Sequence, residues 1–164
     1  MLRPPTGRDW VALTESPLRV EAAVTWATTP ASGAVVSFLG VVRDHSEGRA
    51  GVVGLTYEAY ESAALTRMEE ITTIARERWP ELERIVLWHR VGDLTLSDVS
   101  VVVAVAASHR REAFAAAEYC IDVVKEAVPI WKREQWEGGT DWADRTYPIR
   151  SVGDDRHQAE QESA

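Results

Sequence analysis

Apolar residues recur along this chain in two rhythms. Gly33 to Val42, Gly-Ala-Val-Val-Ser-Phe-Leu-Gly-Val-Val, is a short, nearly continuous apolar run of the kind a buried strand carries. Val52 to Tyr60 alternates well enough for a second strand, and Leu82 to Val91 and Val99 to Ala107 are two more β-branched runs. A turn at or just beyond Gly92-Asp93 joins the last two, and Asp44 to Gly51 reads as a polar loop. Elsewhere the period lengthens. Leu65, Met68, Ile71, Ile74 and Ala75 have helical spacing within Ser62 to Trp79, and Pro80 stops that helix. A second long helix is expected from a capping Ser108 through Ala127, with Phe114, Ala117, Ile121, Val124 and Val128 on one side. Pro129 takes the chain out of it. Ser16-Pro17 suggests a shorter helix, Ser as N-cap, with Val20, Ala23 and Val24 as its apolar face. The order β-β-α-β-β-α predicts an α+β fold, a largely antiparallel sheet packed by helices. One domain is expected over residues 10–150, between a polar, flexible N-terminal tail (1–9) and a flexible acidic C-terminal tail (151–164).

Composition narrows the classes. With 164 residues the chain is long enough to bury a core without covalent staples, and its single cysteine, Cys120, excludes an internal disulfide. Cys120 sits in a helical pattern as a small core residue. No Cys/His cluster has zinc spacing, so neither a metal nor another cofactor is expected. The sequence shows no signal core and no membrane-length apolar stretch, which predicts a cytoplasmic protein. A formal charge of -8 argues against nucleic-acid binding. Yet short cationic groups occur at Arg43/His45/Arg49, at His109/Arg110/Arg111 and at Lys132/Arg133, a distribution suited to collecting a small anion.

Of the 18 cationic side chains only Lys125 and Lys132 are lysines. An arginine stays protonated at any working pH, whereas a lysine can lose its proton and act as a base or an amine nucleophile. The two bracket the bend at Pro129, so both amines can face one cleft, where mutual repulsion would free one of them near neutral pH. The plainer alternative pairs Lys125 with Asp122 or Glu118 on an exposed helix face, and Lys132 with Glu134. His109-Arg110, at the start of the long helix, is placed to hold a phosphate at a helix N-terminus, or is simply a basic first turn. Arg43, where a strand meets a loop, is a phosphate or carboxylate fork. Trp131, Trp136 and Trp142 either stack on a flat heterocycle or pack the domain. No Gly-rich phosphate loop or nucleophilic serine motif is present.

Read in order, five stretches resemble the large, catalytic subunits of molybdopterin synthase, the MoaE family. They are Gly33 to Arg43, Leu55-Thr-Tyr-Glu-Ala-Tyr60, Trp88-His-Arg-Val-Gly92, Ser108-His-Arg-Arg-Glu-Ala-Phe114, and Ile121-Asp-Val-Val-Lys-Glu-Ala-Val-Pro-Ile-Trp-Lys-Arg-Glu134. Together they cover about residues 15–146. Ser97-Asp98 departs from the pattern, standing where Gly-Glu is expected, and this alters a hairpin rather than the site. The resemblance implies an α/β-hammerhead-like fold and a sulfur transferase of molybdenum cofactor biosynthesis. A small ubiquitin-like subunit would bring sulfur as a thiocarboxylate on its C-terminal Gly-Gly tail. Cyclic pyranopterin monophosphate would be converted to molybdopterin, on a homodimer carrying a small subunit at each end.

The resemblance also makes Lys125 and Lys132 the catalytic residues. One protonates a leaving oxygen or assists the thiocarboxylate, while the other holds the tail carboxylate or an intermediate; a transient Lys–Gly amide is a further route. Val41, Val42, Arg43, His109, Arg110, Arg133, Glu134 and Arg145 would surround the pterin and its phosphate, some of them supplied by the neighbouring subunit. Two other readings stand beside it: a non-catalytic pterin or phosphate carrier, and a lyase forming a Schiff base on one lysine.

Overall fold

A computed structural model describes residues 2–46, 49–142 and 151–152. Its elements in chain order are β1 (Asp9–Thr14), α1 (Val20–Ala27), β2 (Ala34–Val41), β3 (His45–Ser46), β4 (Arg49–Ala50), β5 (Val52–Ala59), α2 (Glu61–Arg78), β6 (Leu82–Arg90), β7 (Gly92–Thr95), β8 (Val99–Ala107), α3 (Arg110–Ala127), β9 (Ile130–Trp136) and β10 (Gly139–Trp142). The expected α+β class is what forms, with its strands divided between two four-stranded sheets, β1-β6-β8-β2 and β10-β9-β5-β7, and a two-stranded ribbon, β3-β4. Among the described residues every pairing is antiparallel except β1 with β6.

The first sheet is covered on both faces, which is why β6 and β8 read as continuous apolar runs rather than as alternations. Ile85, Leu87, Val103 and Val105 pack with α2 and α3, whereas Val86, Trp88, Val102, Ala104 and Ala106 pack with Trp10, Ala23 and Ala27 around α1. Side chains on a strand alternate in direction, so this division by odd and even number follows from the pleat. The α2–α3 side forms the larger core and also buries Val152. Arg76 ties α2 to the start of β1 through the Asp9 carboxylate.

Several local expectations shift. α1 starts at Val20 after Arg19 with no side-chain cap, so Ser16 is not its N-cap. Residue His109, not Ser108, is the N-cap of α3, and it too makes no capping side-chain bond. Phe114 is 63% exposed. The buried stripe of α3 runs through Ala113, Ala116, Cys120, Val124 and Ala127, and Phe114 lies one residue round from it, about 100° away. Strands β1, β7 and β10 and the small ribbon inside the Asp44–Gly51 loop were not anticipated.

Candidate functional site

Where α3 ends, the first sheet gives way to the second and leaves a cleft of about 590 Å3. Lys125 comes to it from the last turn of α3, and Lys132 from β9, three residues beyond Pro129. The bend therefore brings both lysines into one space. Val41 and Arg43 enter from the end of β2. The register of β2 against β8 slips between Gly40 and Val41, a bulge that bends the strand end and re-aims the side chains beyond it. Gly40 is required there, because a Cβ would lie 2.4 Å from Val101 Cγ1.

The lysines have different surroundings. Lys125 is exposed, its Nζ 5.7 Å from the centroid of the Phe38 ring, a cation–π arrangement. Lys132 Nζ lies 2.8 Å from Glu134 Oε1, with side chains 35% and 6% exposed. Ser46 Oγ donates to the other oxygen, Oε2, at 2.7 Å. One nearly buried carboxylate thus fixes Lys132 and anchors the β3-β4 ribbon. Of the alternatives set out for Lys132, the pairing with Glu134 is the one that forms, while the amine still lines the cleft.

Three polar residues without an expected role also line the cleft: Tyr57, His89 and Ser100. Ser100 Oγ donates to the Gly40 carbonyl at 3.1 Å. The Tyr57 hydroxyl is pushed above its usual range, first by burial and also by the Glu134 charge, against the effect of its hydrogen bond to Ser100. Burial lowers the His89 pKa to about 4, despite a bond to the Arg90 backbone. The lining thus combines the cations Arg43, Lys125 and Lys132 with the neutral polar groups Tyr57, His89 and Ser100, a combination suited to an anion that also carries uncharged polar groups. The sequence signals were a lone histidine in the apolar run of β6 and its place in the Trp88–Gly92 stretch.

Other expected site residues lie apart from this cleft within one chain. Val42 is buried with Val52, Leu55 and Leu94. Its N–H donates to the Asp98 carbonyl and its carbonyl accepts from Ser97 N–H, so its backbone belongs to the β7–β8 turn. His109 and Arg110 are exposed at the opposite end of α3 from Lys125, about 22 Å away along the axis. Arg133 points to the other face of β9, its guanidinium 5.5 Å from the Trp142 ring. None of Trp131, Trp136 and Trp142 lines the cleft. Arg145 lies outside the described residues. A second cavity, about 580 Å3, sits beside α1, where Trp10, Trp26 and Trp88 line it together with aliphatic groups and with Arg19 and Glu21. The lysine cleft, where cations converge with polar groups, is the candidate active site.

The family described as MoaE protein matches residues 13–127. The chain belongs to the MoaE family. A relative described as molybdopterin synthase catalytic subunit, from Nostoc sp., is 43% identical over 136 residues, covering 83% of this chain and 82% of its own. One of the same description from Pyrococcus abyssi is 39% identical over 148 residues, covering 88% of this chain and 99% of its own. A crystal structure of molybdopterin synthase from Staphylococcus aureus superposes with a TM-score of 0.76 at 37% identity, covering 81% of this chain and 96% of that one. The MoaE match takes in β2 through α3 with Lys125 and ends at Ala127, just before the strand that carries Lys132.

Proposed function

We infer that this MoaE-family chain is a sulfur-transferring enzyme of molybdenum cofactor biosynthesis, the catalytic subunit of a molybdopterin synthase. One observation carries the reading beyond family membership. The only two lysines of the chain, from different elements, meet with Arg43 in a single cleft.

In the proposed reaction a small ubiquitin-like subunit lays its C-terminal tail in the cleft, and the terminal thiocarboxylate sulfur attacks cyclic pyranopterin monophosphate. A carbon–sulfur bond forms at the pterin side chain as a carbon–oxygen bond there breaks, and the departing oxygen takes up a proton. Water then cleaves the acyl–sulfur bond, returning the tail as a carboxylate, and a second small subunit repeats the step. Lys125 and Lys132 offset the anionic charge of tail and intermediate and supply the proton to the leaving oxygen; Arg43 faces the phosphate. Glu134 holds Lys132 in place rather than touching substrate. His109 and Arg110, too far along α3 to serve their own cleft, serve that of a second copy in a homodimer. Arg133 and Arg145 remain assigned to substrate binding by resemblance alone, and the cytoplasm is the proposed setting.

The test is a single-turnover assay with a thiocarboxylated small subunit and cyclic pyranopterin monophosphate, following the dithiolene product by mass. Wild type is compared with Lys125→Ala, Lys125→Arg and Lys132→Arg. Product from wild type and a loss of at least a hundredfold in the alanine variant are expected, with the arginine variants separating charge from proton transfer. Absence of product from wild type that binds both reactants would leave a carrier.

A further inference from the structure

Resting on the lysine-cleft reading, we propose that His89 is a reactant-contacting residue whose Nε2 accepts a hydrogen bond from an N–H donor bound in the cleft. The fold aims it there. Odd-numbered residues of β6 face α2 and α3: Ile85 and Leu87 are buried in that core. His89 continues the series toward the end of the strand, where the core opens into the cleft, and it lines that cleft.

Its hydrogen-bonding state is determined by a neighbour that can only accept. Nδ1 lies 2.7 Å from the Arg90 carbonyl oxygen, so the ring proton sits on Nδ1 and the lone pair on Nε2. The ring is also held in orientation. It meets Tyr57 edge-to-face, with centroids 4.9 Å apart at 79°. Burial keeps the imidazole uncharged through the neutral range, so it offers an acceptor in a cleft that Arg43, Lys125 and Lys132 also line.

The Arg90 carbonyl takes up Nδ1 and the Tyr57 ring packs against the imidazole edge-to-face. Nε2 is the part of the ring that packing does not explain. Two reactants of the proposed function carry N–H donors, the pterin ring and the peptide tail of the sulfur donor, and the experiment separates them.

His89→Asn keeps a donor for the Arg90 carbonyl and removes the acceptor at Nε2; His89→Gln extends a carbonyl oxygen toward the Nε2 position. After circular dichroism confirms folding, the apparent KM for the pterin and for the thiocarboxylated small subunit are measured separately. His89→Asn is expected to raise one of them roughly tenfold, the loss of a single hydrogen bond, with partial recovery in His89→Gln. The reactant whose KM rises is the donor. In parallel, the 15N resonance of Nε2 in wild type should shift when that reactant is added, a change that a purely structural histidine does not show. If wild type turns over while His89→Asn retains both KM values and kcat, and Nε2 does not respond, the His89 assignment is overturned and the sulfur-transfer reading stands. If wild type itself forms no product, the underlying reading fails first.

Discussion

Removing Lys132 is expected to cost the fold more than removing its partner. The ammonium and the Glu134 carboxylate are 2.8 Å apart, an attraction of roughly 6 kcal/mol at an effective dielectric of about 20, most of it offset by the desolvation of Glu134. The two ends are not equivalent, because Glu134 is 6% exposed and Lys132 35%. In Lys132→Ala the nearly buried carboxylate loses this ion pair, at an expected cost of about 2–4 kcal/mol, somewhat below that of a fully buried pair. In Glu134→Gln the lysine turns to water and the amide oxygen still accepts from Ser46, so about 1 kcal/mol is expected. Lys132→Arg should come close to wild type. Urea unfolding at pH 7 followed by tryptophan fluorescence gives the three values, provided the m-value is unchanged. A Lys132→Ala variant no less stable than Glu134→Gln would refute the argument that burial of the carboxylate controls the pair. The outcome also governs how kinetics are read, since an activity lost in Lys132→Ala could otherwise be a loss of folded protein.

Stability should fall as the solution is acidified. His89 has a folded pKa of about 4 against an ordinary 6.5, so below 6.5 the unfolded chain binds a proton that the folded one refuses. Its contribution, full above pH 6.5 and lost as pH falls toward 4, predicts a decline of about 2 kcal/mol between pH 7 and 5, which His89→Gln should remove in paired urea titrations. Ser97 holds a left-handed backbone, φ 70°, in the β7–β8 turn, so Ser97→Gly should raise stability by about 0.5–1 kcal/mol, seen as a higher urea midpoint at constant m-value.

What was legible in the sequence was what local pattern encodes. β6 and β8 announced themselves as β-branched runs, α2 and α3 by their period, and the exit from α3 by Pro129. β1 was not legible, because Asp9–Thr14 is a strand only through its parallel partner β6, some 75 residues away. Ser16-Pro17 and Ser108 carried cap chemistry without becoming caps, since tertiary packing sets where α1 and α3 begin. In the site, the lysines stood out by scarcity, and Arg43 by its place at a strand end. Tyr57, His89 and Ser100 did not, because they meet only when β5, β6 and β8 converge. His109 and Arg110 were conspicuous as cations, but the length of α3 holds them away from the lysine on the same helix. Ser97 stands where the family resemblance led to an expected glycine, and its positive φ shows why glycine suits that place.

The pleat of β9 also constrains how this chain can change in length over evolutionary time. Lys132 and Glu134 share a face because they are two residues apart, in register with Tyr57 and Leu55 on β5. One residue inserted between Pro129 and Lys132 would turn both toward the side that Arg133 now occupies, and would present Trp131 to the cleft. Single substitutions in β9 perturb one contact at a time, whereas a single-codon insertion exchanges the whole chemical surface. Length variation is tolerable in the turn at Glu137-Gly138, where Gly138 already takes φ 98° and the strand that follows, Gly139–Trp142, does not line the cleft.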